Sequence, residues 1–456
     1  MPPFHNTSEV KKTMDSWREL YKRKLSTAEE AVKVIKSHNR VVISFACGEP
    51  QTLVEAMVKR GPELEDVEID HMIAMGKCLY CKPEMEKNFR HRSFFLGPNS
   101  REAINDGRGD FVPIFFHQIP WQYQRGILPV DVALIQLSRP DANGWCSLGV
   151  CADYTIAAME AAKYVLAEIN DQYPRTDGVR PVHISELNYI VESSRPVIEA
   201  SKVTIGDVER AIAVHVAELV EDGSTLQMGI GSIPDAVASL LTHKKDLGVH
   251  TEMLGDWCKD LVEAGALTGR KKSMHKLKIV ATFIQGTKPL YDFVHENLMV
   301  QMMPVDQTNS PTIIAQQYKM VAINSALQVD LQGQVCADSL GTRQYSGVGG
   351  QVDFIRGCAE SPDGKSIIAL SATAGDGKYS RIVPMLEPGA SVTTSRNDVH
   401  YVVTEFGVAD LKFKTLRERG EALINIAHPD YREDLRKELY RRHPGYERYQ
   451  TRNLIK

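Results

Sequence analysis

Cysteine is scarce in this chain, eight residues in 456, and those eight lie mostly in apolar surroundings, which favours reduced thiols over a disulfide framework. Long apolar runs are missing too. No window approaches the roughly 20 apolar residues that span a bilayer, and the opening MPPFHNTSEVKKTMD lacks the apolar core of a secretory signal. A cytoplasmic chain with no membrane partner is expected, or a mitochondrial one if the source is eukaryotic. A basic excess is also absent: a net charge of -4 and a pI near 6.4 leave nothing to neutralise a phosphate backbone, so no nucleic-acid partner is expected.

Several enzyme signatures are lacking as well. There is no G-x-x-x-x-G-K-[ST] phosphate loop, no H-E-x-x-H and no G-x-S-x-G elbow, and Gly229-Ile230-Gly231 has no third glycine of a dinucleotide fingerprint. Cys78 and Cys81 form a C-x-x-C pair, but zinc needs two further ligands at comparable spacing and no second pair follows. No metal is expected. The sequon at Asn6-Thr7-Ser8 stays unused in a reducing compartment.

What is present is a folded α/β chain long enough for two domains. Thr27-Ala28-Glu29-Glu30 reads as a capping box opening a helix with Ala28, Ala31, Val32 and Ile35 on one face. The strand RVVISFA follows, then the turn Cys47-Gly48-Glu49-Pro50, the helix QTLVEAMVKRG and the strand VEIDHMIA, with further apolar runs at DFVPIFF and VDVALIQL. Short β runs alternating with helices predict an open, mostly parallel sheet covered on both faces. Polar text from Tyr189 to Ile205 reads as a linker, which places domains at 1–200 and 201–456. Beyond it the order restarts: helix DVERAIAVHVAELVEDG, strand STLQMG, a Gly-rich turn, helix DAVASLLTH. This echo predicts two similar α/β domains with a ligand crevice between them. SVTTSRNDVHYVVTEFG reads as strand-like, TLRERGEALINIA as a helix, and the charged tail REDLRKELYRRHPGYERYQ as a solvated one.

Chemistry collects at the turns. Ser346-Gly347-Val348-Gly349-Gly350 offers three glycines in four residues, more bare backbone than a plain turn requires. Glu252 in GVHTEM stands between strand-like and helix-like text, Asn309 in DQTNSP, and Glu405 in VVTEFG. Backbone N–H groups beside an isolated carboxylate suit acyl chemistry. Each residue also has a plainer role open to it: a cap or surface ion for Glu252, an Asx-turn before Ser310-Pro311 for Asn309, an ion pair with an arginine such as Arg396 for Glu405. His250 and Cys258 beside Glu252 read as packing.

Taken together, ISFACGEP, FVPIFFHQIP, DGSTLQMGIGSIPDAV, GVHTEM, SGVGGQVDFIRG, RIVPML and SVTTSRNDVHYVVTEFGVADL resemble the acetyl-CoA hydrolase/transferase family of family I coenzyme A transferases, most closely its 4-hydroxybutyrate and butyrate CoA-transferases. The resemblance runs from WRELYKRKLSTAEEAV to ALINIAHPDYREDL. It implies the two-domain CoA-transferase fold, a homodimer, no cofactor beyond the CoA substrate, and acyl-CoA and short-chain carboxylates as partners. It implies Glu252 as the nucleophile, the N–H groups of Gly350 and Ile230 as oxyanion donors, and Asn309 and Glu405 as groups orienting the glutamate or the acyl group. Gly229, Gly231, Gly349, Gly350 and Lys378 are the implied CoA-binding positions. The implied reaction is ping-pong transfer through a glutamyl-CoA thioester, with acetate as one acid partner. Hydrolysis of the same acyl-CoA and transfer between acetate and succinate are the alternatives.

Overall fold

The computed structural model describes residues 17–201 and 203–446, so the sequon at Asn6 lies outside the described residues. Two compact units emerge. One comprises the chain up to Ser201 together with residues 280–308, and the other comprises the rest.

The first unit opens as its caps dictate: the Thr27 hydroxyl accepts the Glu30 N–H at 3.2 Å, and Ala28, Ala31, Val32 and Ile35 are all buried. Its seven-stranded sheet runs in the order Gly109–Phe111, Phe89–Ser93, Val67–Asp70, Arg40–Ile43, Val130–Leu137, Ala162–Asn170, Tyr189–Ser193. All neighbours are parallel. Central strands such as Val130–Leu137 are buried on nearly every residue, as helices on both faces require. Phe89–Ser93 escapes an apolar scan because Arg90 and Arg92 alternate with its buried residues. Each arginine pairs with a carboxylate of an adjacent strand, Asp110 and Asp70 respectively.

Two expectations are corrected. The polar text from Tyr189 is not all linker: Tyr189–Ser193 pairs with Ala162–Asn170 as the edge strand, where one neighbour suffices and charged side chains are tolerated. Nor does the chain cross between units once. Residues 280–308 return to the first unit, where Ala152 N–H donates to Thr282 O (2.9 Å), Ile284 N–H to Val150 O (2.8 Å) and Met302 N–H to Asp177 O (2.7 Å).

In the second unit the order is Gly248–Leu254, Thr225–Met228, Met320–Asn324, Lys365–Ala369, Tyr401–Thr404, Gly407–Asp410, parallel except for the last pair. In both sheets the first strand in sequence lies inside the sheet, and the chain adds strands on one side of it and then on the other. Such an order creates a switch point at the carboxyl ends of neighbouring central strands, where α/β proteins place ligands. The strand-like text from Ser391 contributes Tyr401–Thr404 and the first residue of Gly407–Asp410 to this sheet; Thr394 instead bridges to Val335. Among the described residues no helix is long and apolar enough to cross a membrane, and no group of three His, Cys, Asp or Glu could hold a metal ion. All eight cysteines are free and buried, with the Cys78 and Cys81 sulfurs 2.9 Å apart.

Candidate active site

Strand Gly248–Leu254 flanks the first strand of the second sheet and carries Glu252 near its carboxyl end. Buried Thr251 pins that end, its hydroxyl donating toward Met228 O (3.2 Å) and Met253 O (2.9 Å). Alternation then turns Glu252 to the opposite face, where it is half-buried. Fully buried Asn309 donates Nδ2–H to Glu252 Oε2 at 2.7 Å. Gly350, the cap of helix Gln351–Glu360, gives its N–H to the same carboxylate. A Cβ at Gly350 would stand 2.0 Å from Glu252 Oε2 and 2.2 Å from Asn309 Nδ2, so only glycine permits this approach. Gly349 before it sits at φ +53°, the left-handed region that turns the chain into the helix.

Electrostatics changes what this carboxyl can do. Burial pushes Glu252 up to about 7; the Asn309 hydrogen bond pulls it down, the charge of Asp353 raises it further, and the Gly350 N–H lowers it. An ordinary value near 4.3 is therefore not the right picture of this group. A carboxylate of higher basicity is a better nucleophile, and it is still substantially ionised at neutral pH. Oε2 is the oxygen held by Asn309 and set against Gly350, which leaves Oε1 for a reacting partner.

The remaining site candidates separate. The turn Gly229-Ile230-Gly231 caps helix Ser232–Leu240, with Gly231 at φ +118°. It adjoins the Glu252 strand end: the Trp257 indole donates to Gly229 O at 3.0 Å, a Cβ at Gly229 would lie 3.5 Å from Met253 Cε, and Ile230 packs against Gly255. Glu405 is engaged elsewhere, accepting the Ala372 N–H at 2.9 Å, while Arg396 bonds Gln332 and not Glu405. Lys378 is exposed in the turn joining Thr373–Ala374 to Tyr379–Ser380. His250 is buried near Phe354 and Cys258 is buried as well.

Two carboxylates escaped the sequence reading. Asp353, buried, follows Gly350 by three residues and acts on Glu252 through its charge; an acid in the first turn of a helix usually signals only a cap. Glu49, in the turn Cys47-Gly48-Glu49-Pro50, is 2 % exposed and accepts the Gly76 N–H at 2.9 Å. Burial raises it to about 7, against the Gly76 hydrogen bond and with help from the charge of Glu168.

The profile described as the acetyl-CoA hydrolase/transferase N-terminal domain matches residues 8–199, and that of the C-terminal domain matches residues 286–439. The chain belongs to the acetyl-CoA hydrolase/transferase family. Within this family it is 54% identical to the 4-hydroxybutyrate coenzyme A transferase of Clostridium kluyveri, over 93% of this chain and 99% of that one. It is 38% identical to the butyryl-CoA:acetate CoA-transferase of Anaerostipes caccae, over 93% and 97%. A crystal structure of a 4-hydroxybutyrate CoA-transferase from Porphyromonas gingivalis superposes with a TM-score of 0.81 at 40% identity, covering 93% of this chain and 100% of that one. The protein is a CoA-transferase of this family, with two similar open α/β domains.

Proposed function

We propose that this transferase moves CoA between acetate and a short-chain acyl-CoA such as 4-hydroxybutyryl- or butyryl-CoA, by ping-pong catalysis at Glu252. The observation that carries the proposal is the single cluster of half-buried Glu252, Asn309 and the Gly350 N–H; the acyl range follows the names of the relatives. Oε1 attacks the thioester carbonyl, the tetrahedral oxyanion collapses with loss of CoA thiolate, and a glutamyl–acyl anhydride results. The thiolate then attacks the glutamyl carbonyl, releasing the first carboxylate and leaving CoA on Glu252. An acceptor carboxylate attacks that thioester, and the steps reverse onto the new acid. Every oxygen and sulfur is accounted for without a redox change, so no cofactor beyond CoA enters the proposal.

In this scheme the Gly350 N–H serves twice. It holds the free carboxylate in place, and once Glu252 is acylated it stands beside the glutamyl carbonyl oxygen that becomes an oxyanion. The Ile230 N–H is assigned to the acyl oxygen, Glu405 and Lys378 to support and CoA contact, and the working form to a cytoplasmic homodimer. With acyl-CoA and no acceptor, mass spectrometry should find CoA as a thioester on the Glu252 peptide, lost on trapping with hydroxylamine or borohydride. CoA on another carboxylate would overturn the assignment. Glu252→Asp, which withdraws the carboxyl by about an ångström, should cost roughly a hundredfold in transfer and lower the ratio of transfer to hydrolysis.

A further inference from the structure

The glycine loop that meets Glu252 is held at both ends by one short segment, Ser391 to Thr394. At the leading end stands Asp338, 7 % exposed. Its Oδ1 accepts the hydroxyls of Ser391 and Thr393, and its Oδ2 accepts Gln344 Nε2–H at 3.2 Å. Its carbonyl oxygen accepts the N–H groups of Tyr345 (2.8 Å) and Ser346 (3.1 Å), the first residue of the loop. The Ser346 hydroxyl donates to Ala337 O at 3.3 Å, and the Ala337 N–H donates back to Thr393 Oγ1 at 2.8 Å.

At the trailing end Gln351 donates to Ser325 O at 2.6 Å, while the Thr394 hydroxyl donates to Gln351 Oε1 at 3.3 Å. Thr394 and Val335 exchange both backbone hydrogen bonds at 3.1 Å, so the clasp is itself tied to strand Val335–Cys336. Between the pins lie Gly347, Val348, Gly349 and Gly350, a run whose three glycines have more backbone freedom than any other residue type allows.

A buried carboxylate held only by neutral donors is a costly way to close a hairpin. What it adds is stiffness, because hydrogen bonds to an ionised acceptor are shorter and about twice as strong as neutral ones. We propose that Asp338 is a positioning residue for the transfer reaction, fixing through Ser391 and Thr393 the height of the Gly350 N–H against the Glu252 carboxyl. This rests on the Glu252–Gly350 assignment above.

Asp338→Asn keeps the side chain's shape and removes its charge. Assayed well below its melting temperature, the variant should lose roughly 10- to 100-fold in kcat while KM for the acyl-CoA stays within about threefold. Single-turnover formation of the Glu252 thioester should slow by the same factor, which a merely structural role would not require. Thr393→Val removes one donor and leaves the carboxylate, and should show a smaller loss with the same kcat-against-KM split. Should Asp338→Asn fail to fold, Thr393→Val decides alone. Wild-type kcat and thioester formation in either folded variant, or a loss carried mainly by KM, overturns the proposal. Gly350→Ala separates the two layers: if it is impaired and Asp338→Asn is not, only the role of Asp338 falls, whereas full activity in Gly350→Ala with no CoA on Glu252 removes the assignment beneath it.

Discussion

Both units of the chain bring a glycine N–H against a glutamate carboxyl, Gly76 to Glu49 in the first and Gly350 to Glu252 in the second, and in both burial lifts the acid to about 7. The two sites part company in what surrounds them. Glu49 is 2 % exposed, whereas Glu252 is half-buried, clamped by Asn309 and influenced by the charge of Asp353. A raised carboxyl is thus what this architecture yields when it buries an acid behind a glycine. Reactivity needs access to one oxygen and a grip on the other.

The largest expected effect tests that contrast directly. Glu252→Gln should abolish transfer, by roughly 10⁴-fold or more, and prevent covalent capture of CoA, while Glu49→Gln should retain labelling of Glu252. Equal loss in both, read by steady-state rates and peptide mass, would erase the distinction. Wild-type kcat/KM should fall as pH drops through about 7, where Glu252 takes up its proton.

Next come the glycines. Gly350→Ala drives a methyl into Glu252 and should cost about 3 kcal/mol of transition-state stabilisation, near a hundredfold in kcat. Gly76→Ala places its Cβ 2.2 Å from Glu49 Oε1. It should appear in thermal or urea melts as a loss of about 1–3 kcal/mol. Reversal of these two signatures would mean that the catalytic glycine lies in the first unit.

Stability against pH supplies a subtler comparison. Folding keeps Glu49 protonated up to about 7, whereas the unfolded side chain ionises near 4.3. Its contribution is fully present below the unfolded value and is lost as pH rises through the folded one. Glu49→Gln stays neutral throughout, so its stability relative to wild type should grow by roughly 2–3 kcal/mol between about pH 5 and pH 8. Parallel urea curves for the two proteins would refute a buried, protonated Glu49.

The smallest effect belongs to Lys378, exposed on its turn. Lys378→Ala should raise KM for CoA esters by less than about fivefold, since an exposed ionic contact is worth at most about 1 kcal/mol. A fall in kcat instead would move it into the reacting cluster.

Much of this was legible in the chain itself. Apolar runs such as VDVALIQL became the central strands, and GVHTEM and SGVGGQVDF marked the two segments that meet at the site. Phe89–Ser93 was hidden because its arginines are matched by carboxylates on neighbouring strands, a compensation no single-strand pattern reveals. Asn309 read equally well as an Asx-turn, and only its 2.7 Å contact with Glu252 distinguishes the two roles. Glu49 and Asp338 left no signal, since an acid in a turn is ordinarily solvated, and what buries these two comes from residues distant in sequence.

The return of residues 280–308 to the first unit also governs how the chain can be made. During synthesis the first unit lacks a piece until residue 308 has emerged, by which time the strand bearing Glu252 is already outside the ribosome and still without Asn309 and Gly350. A cut near residue 201 does not yield the first unit whole. The N-terminal fragment would lack residues 280–308 and leave the Val150 and Asp177 carbonyls without the donors they have here. Incomplete units of that kind expose apolar surface, which drives aggregation of partly folded chains.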